Sequence, residues 1–477
     1  MRRIAIIGGG IAGVTAAYEL ARLARDGAPV EATLFEASTR LGGIVETVRE
    51  GGFIIETGPD GWVAEKPWAR ELAVELGLGD ELIPSNDATR RTYILQTDTL
   101  KVIPDGLRMM VPTDLEALDQ SDLFSPAARQ AYRDEPRRAA ELKAASPLGD
   151  ESIAHFVRRH FGTEVLETIA SPLLSGVLGG DVATLSVRAV MAPFVAMERT
   201  HGSLITALQS RLAQATPPPI FTALRSGTAT LIDRMVATIP RAWLRLNSPV
   251  AEMIREEIGW TVRCSGTKAA TQHFDEVLLC TPVETARTLL APHDPEAAAL
   301  LKMDSSSALI VAFALPDASL FPVPPGFGFL VPPRPSLADY AIGLHPKTTS
   351  SLLLACTFTD QKFDDRVPPG GRLIRAFFGG STAERMMRCG NDEIASIARL
   401  ELARILGPMP TAQITVVRRW PQSLPQYSVG HLNRMAELAT RTAGIPGLHL
   451  LGNGYRGVGL PDLIRDSRMV ARTVAGA

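Results

Sequence analysis

Cysteine is scarce and scattered in this 477-residue chain. Cys264, Cys280, Cys356 and Cys389 are the only four, with no C-x-x-C pair and no disulfide-like spacing. That excludes a disulfide framework and a cysteine-built metal site, so each reads as a small buried hydrophobe. Charge of one sign is missing too: a formal charge of −2 offers nothing to nucleic acid. No apolar run approaches the ~20 residues needed to cross a bilayer. Arg2-Arg3 before an apolar run imitates a secretory signal. However, the would-be apolar core is glycine-rich and no small-residue cleavage site follows, so a cytoplasmic location is expected. The eight histidines show no metal spacing. His155 and His160, five apart on a predicted helix, point to different faces, and no metal is expected. Internal repeats and low-complexity segments are also lacking.

What is present begins at the N-terminus. Ile4-Ala5-Ile6-Ile7 runs into Gly8-Gly9-Gly10-Ile11-Ala12-Gly13, followed by an Ala-rich predicted helix, Val14 to Ala24. A strand, a G-x-G-x-x-G turn and a helix open a dinucleotide-binding βαβ unit. Gly8 permits the turn, Gly10 lets backbone approach a pyrophosphate, and Gly13 lets helix pack on strand. The helix start supplies free N–H donors and a positive dipole end. A second predicted strand, Val30 to Phe35, ends at Glu36-Ala37. A carboxylate there accepts from both ribose hydroxyls and repels a 2′-phosphate, which favours FAD or NAD over NADP.

The next residues choose FAD. Glu36 and Arg40-Leu41-Gly42-Gly43 spell E-x-x-x-R-x-G-G. Arg40 is placed to meet the pyrophosphate, and Gly43 lets the chain run beside the ribityl. Phe53 to Glu56 reads as a strand ending in the turn Gly58-Pro59-Asp60-Gly61, which can lay backbone under a flat ring. At the other end, Leu448 to Leu451 reads as a strand entering Gly452-Asn453-Gly454, then Gly457-Val458-Gly459-Leu460-Pro461-Asp462 and a helix from Leu463 to Val474. This ending repeats the logic of the beginning, a second helix N-terminus aimed at an electron-accepting group.

Between these ends the texture changes several times. Residues 64–82 are predicted helical, and Thr92–Leu95 with Leu100–Ile103 form a hairpin. Thr113 to Leu212 is mostly helical, with Asp150 capping one helix and Gly162 stopping it. Prolines 217 to 219 end that block, and a helix from Leu231 to Ile239 leads to strands at Trp243–Leu246 and Val250–Ile254. Strands follow at Leu309–Leu315, Phe327–Val331, Ala341–Leu344, Leu352–Phe358 and Arg372–Phe378. Asp392 to Leu406 returns to helix.

Taken together, these motifs resemble the amine oxidase/phytoene desaturase superfamily of flavoproteins. Within it, further stretches narrow the likeness: Gly58-Pro59-Asp60, Ile103-Pro104-Asp105-Gly106-Leu107-Arg108-Met109-Met110-Val111-Pro112-Thr113 and the helix pair from Glu151 to Asp181. The most specific is Arg419-Trp420-Pro421-Gln422-Ser423-Leu424-Pro425-Gln426-Tyr427-Ser428-Val429-Gly430-His431. Together they carry a closer resemblance, to the protoporphyrinogen/coproporphyrinogen oxidase family of haem biosynthesis. It implies an α/β fold with a discontinuous Rossmann-type FAD domain (1–84, 213–290 and 409–477). A mostly helical lobe (85–212) that can rest on a membrane and a strand-rich substrate domain (291–408) are inserted in it. It also implies non-covalent FAD, with Val250 offering backbone to the adenine, Trp420 beside the flavin, and Val458, Gly459 and Leu460 at its pyrimidine end.

The implied activity is oxidation of protoporphyrinogen IX, with oxygen as acceptor and release of peroxide. Coproporphyrinogen III is the alternative. An amine oxidase and a non-catalytic FAD-binding protein are the rivals from other classes. Because the cofactor does the redox work, no protein nucleophile is expected. A propionate clamp calls for arginine, and Arg90 or Arg91 are the candidates, against a plain solvated charge pair. Asp60, near a dianionic substrate, should face elsewhere. Gly176 walls the pocket or simply packs a helix, and Met109-Met110 is core or membrane-facing patch. Tyr427 lacks the second aromatic partner an amine oxidase places beside its flavin. A homodimer and peripheral contact with the inner membrane face are left open.

Overall fold

The computed structural model describes residues 1–212, 219–265, 271–333 and 351–477. The expected strand Ala341–Leu344, and Pro217 and Pro218, lie outside them. The first layer is a five-stranded parallel sheet. Its order is Leu244–Arg245, Val30–Phe35, Arg2–Ile7, Glu276–Leu279, Leu448–Leu450. Arg2–Ile7 sits at the centre, with Ile4 opposite both Ala32 and Glu276. Its alternate residues feed two cores: Ile4 and Ile6 pack on one face, Ala5 and Ile7 on the other. A strand covered on both faces must be apolar throughout, which accounts for the unbroken run. The helix Ile11–Arg25 and the last helix, Leu460–Ala475, pack together on one face.

The second sheet has seven strands: Ile414–Pro425, Ser305–Leu315, Arg372–Gly379, Ala355–Phe358, Gly328–Leu330, Thr92–Gln96, Thr99–Val102. It is not confined to the expected segment 291–408. The hairpin at Thr92–Val102 joins one edge, Tyr93 pairing in parallel with Phe329, and Ile414–Pro425 forms the other. Strand pairing is a tertiary event, so sequence adjacency to helices did not foretell it.

A helical lobe packs on this sheet. Its helices run from Leu115–Asp119 to Leu204–Leu212 around one apolar cluster. One expected cap differs. The helix Ile153–Phe161 is capped by Ser152, whose hydroxyl accepts from the His155 N–H at 3.2 Å. Asp150 instead accepts from Ser186 Oγ at 2.7 Å and from the Gly430 N–H at 2.8 Å, tying the lobe to the C-terminal segment. Gly162 ends that helix as expected. Met110 is core, whereas Met109 is 37% exposed. Three cysteines are buried, but Cys389 is only half-buried. Among the described residues no helix is long and apolar enough to cross a membrane.

Candidate active site

The glycine turn is built by close approach. A Cβ on Gly13 would lie 1.9 Å from the Gly8 carbonyl oxygen, so only glycine lets the helix seat on the strand. A Cβ on Gly10, in contrast, would meet no heavy atom of the described residues within 4 Å. Gly10 is the N-cap and carries no side-chain cap, so the first-turn N–H groups have no such partner. The Glu36 carboxylate accepts from the Gly9 N–H at 2.7 Å and the Ser38 N–H at 2.8 Å, which fixes it beside the turn. Gly43, at φ +59°, passes with its would-be Cβ 3.1 Å from Gly10 Cα, so two backbones cross without side chains between them.

A cavity of about 940 Å³ opens from this crossing. Gly8, Gly9, Gly10, Ile11, Ala12, Glu36, Arg40 and Gly43 line it together with Val458, Gly459 and Leu460. Pro59, Asp60, Gly61 and Trp420 lie along it. Trp420 Nε1 donates to the Thr57 carbonyl at 2.6 Å, and the Arg40 guanidinium sits 5.8 Å from its ring. Arg40 donates to the carbonyls of Leu41 and Val45 at 3.2 and 3.3 Å and to that of Gly43, so it braces its own loop. Gly13 and Gly58 stand behind the wall; a Cβ on Gly58 would strike the Ile44 carbonyl at 1.9 Å. Ala37 is exposed and, like half-buried Val250, is not among the lining residues. Arg90 and Arg91 are not among them either.

Asp60 does not present a bare charge. Lys362 Nζ approaches its two oxygens at 3.0 and 2.9 Å, and Arg375 stands at 3.2 Å. Burial alone would raise this carboxyl, but Lys362 and Arg375 outweigh it and hold it down to about 2. Glu56 and Arg366, both fully buried and 3.4 Å apart, extend the cluster. Elsewhere in the lining, Asp462 pairs with Lys66 at 2.5 Å in the first turn of the last helix, an acid where the dipole favours one.

Tyr427 stacks on His431, with ring centroids 3.9 Å apart and planes inclined by 12°. It is not a cavity-lining residue. Its aromatic partner is therefore a helix residue behind the wall and no second ring across a flavin.

These features coincide with a match along the whole chain. Residues 11–475 match the family model for flavin-containing amine oxidoreductases. The chain belongs to that family. It is 31% identical to the coproporphyrinogen III oxidase of Bacillus subtilis (strain 168), across 97% of this chain and 96% of that one. It is 28% identical to the coproporphyrinogen III oxidase of Staphylococcus aureus (strain NCTC 8325 / PS 47), over 99% of each chain. The crystal structure of a provisionally named protoporphyrinogen oxidase from Exiguobacterium sp. 255-15 superimposes with a TM-score of 0.84. That pair is 30% identical, covering 99% of this chain and 98% of the other.

The protein is accordingly an FAD-dependent flavoenzyme, and the glycine cradle fits that cofactor: the turn leaves open the one position, Gly10, where backbone must approach a phosphate. Sequence reasoning missed several lining residues, among them Lys66, Thr281 and Arg418. Thr281 follows the strand Glu276–Leu279, which neighbours the N-terminal strand in the sheet, a pairing no local motif announces.

Proposed function

We propose that this flavoenzyme oxidises a porphyrinogen to its porphyrin in haem synthesis, by three two-electron steps that end on molecular oxygen and release hydrogen peroxide. What carries the reading is the end-to-end match to the Bacillus subtilis relative, together with one cavity bordered by both the N-terminal glycine turn and Val458 to Leu460. The names of the curated relatives favour coproporphyrinogen III over protoporphyrinogen IX, which the sequence alone had placed first.

Bound FAD supplies the two-electron acceptor. The chain's part is to hold it and to shape the space beside it. Gly8 to Ala12 and Glu36 take the pyrophosphate and ribose, and Gly43 follows the ribityl. Pro59 to Gly61 and Trp420 flank the ring, with Val458 to Leu460 at its pyrimidine edge. Lys362 and Arg375 neutralise Asp60, so the wall does not repel a carboxylated macrocycle. Neither Arg90 nor Arg91 lines this cavity, so a propionate contact by either would lie outside it, and of the two Arg90 is the better candidate. It is half-buried and no carboxylate is hydrogen-bonded to it among the described residues, whereas Arg91 is exposed.

The test is anaerobic mixing of the purified holoenzyme with each porphyrinogen. Loss of flavin colour, recovery on admitting oxygen and a rise in porphyrin fluorescence are expected, faster with coproporphyrinogen III. A flavin that stays oxidised with both porphyrinogens overturns the proposal.

A further inference from the structure

Tyr427 and His431 lie behind the C-terminal wall of the cavity, 6% and 0% exposed. The Tyr427 hydroxyl donates to the Asn453 carbonyl at 2.6 Å and accepts from the Gly457 N–H at 3.0 Å. His431 Nε2 lies 3.1 Å from the Tyr455 carbonyl. A carbonyl can only accept, so Nε2 carries the proton. Its other ring nitrogen, Nδ1, is buried without a hydrogen-bond partner among the described residues. Burial holds His431 below the ordinary imidazole range, which keeps this neutral form.

One stacked pair thus fastens alternate residues 453, 455 and 457 of the loop between Leu448–Leu450 and Leu460–Ala475. Gly452, Gly454 and Gly457 leave that loop little order of its own. It ends at Val458 and Gly459, and Gly459 is the uncapped N-cap of the last helix. The pair is anchored in turn to the helical lobe. The Tyr427 carbonyl accepts from the Ser186 N–H at 2.7 Å, and the Val429 N–H donates to Thr184 at 3.0 Å.

We propose that Tyr427 and His431 are positioning residues for the flavin, holding the Val458–Leu460 wall where the pyrimidine end of the ring must meet it. They touch neither cofactor nor substrate; they act through the loop. The inference rests on the proposed placement of the ring against Val458–Leu460.

Tyr427→Phe and His431→Phe keep the stack and remove one set of hydrogen bonds each. Leu460→Ala changes the wall directly. For each holoenzyme, the FAD dissociation constant and the visible absorption of the bound flavin are measured, with the melting temperature of the apoprotein alongside. Tyr427→Phe should weaken FAD about tenfold and shift the flavin bands, with a modest fall in the apoprotein melting temperature from the two unpaired backbone groups, a fall that by itself would leave the bands of the bound flavin where they were. His431→Phe should act in the same direction and carries the test if the first variant fails to fold. If Leu460→Ala shifts the bands and neither ring variant does, the positioning role is overturned while the ring placement stands. If none of the three shifts them, both fall.

Discussion

Glu36 and Val458, from opposite ends of the chain, border one cavity. Neither residue has a reason of its own to be near the other. The parallel sheet brings them together, because Arg2–Ile7 and Leu448–Leu450 both pair alongside Glu276–Leu279. Glycines at the two strand ends then leave room for a cofactor rather than side chains.

Gly10 and Gly13 should separate binding from folding. Gly13→Ala places a methyl carbon 1.9 Å from the Gly8 carbonyl, so the helix must move off the strand. A loss of about 3 kcal/mol or more in apoprotein stability is expected, read by denaturant unfolding. Gly10→Ala meets nothing within 4 Å among the described residues and should leave the apoprotein unchanged. Its FAD affinity should fall at least about tenfold, since the new methyl occupies the phosphate approach. Equal behaviour of the two variants would contradict the cradle.

Removing the carboxyl of Asp60 should cost stability. Asp60→Asn strands Lys362 and Arg375, which are 9% and 1% exposed, with a neutral amide. Breaking one partner of a buried pair typically costs about 3–5 kcal/mol. The carboxyl is held at about 2, below its usual value, so its contribution is present at neutral pH and lost only as pH falls through that value. The variant should therefore melt well below the parent at neutral pH, and calorimetry at falling pH should bring the two together.

Much of this was legible in the residues because it is local. The first βαβ unit occupies three dozen consecutive positions, and each glycine has a spacing rule behind it. The wall at Val458 to Leu460 was legible for the same reason. What escaped is what the tertiary fold assembles. Asp60 meets Lys362 and Arg375 across three hundred residues, and nothing in the run Arg372 to Gly379 marks Arg375 as an ion-pair partner. The role of Asp150 escaped because its position before a helix suggested a cap, and Ser152 fills that place at better spacing. The Tyr427–His431 stack was within reach: the two are four residues apart, with His431 opening a helix.

Arg90 and Arg91 should differ in kinetics. Arg90→Ala is expected to raise KM for the porphyrinogen about tenfold, with kcat nearly unchanged, because a remote carboxylate contact contributes equally to ground and transition states. Arg91→Ala should be silent. Reversed effects in steady-state assays would move the anchor to the exposed residue.

The helical lobe carries a pH-dependent brace. His160 is buried between Glu135 and Glu198, with 3.0 Å from each ring nitrogen to a carboxylate oxygen. Ser203 Oγ and the Leu204 N–H also bind Glu135, and Arg159 reaches Glu198. Burial opposes the imidazolium, but the two carboxylates outweigh it, so His160 is raised above its ordinary value. Glu198 is held down to about 2 by His160 and Arg159 against its own burial. The signs follow from linkage. The His160 contribution is complete below its unfolded value of about 6.5 and fades as pH rises through the higher folded value. The Glu198 contribution persists until strong acid. Melting temperature should therefore decline on the alkaline side. His160→Gln should start lower and decline less, because it cannot lose a proton. Parallel curves for the two proteins would show that His160 is not the group that titrates.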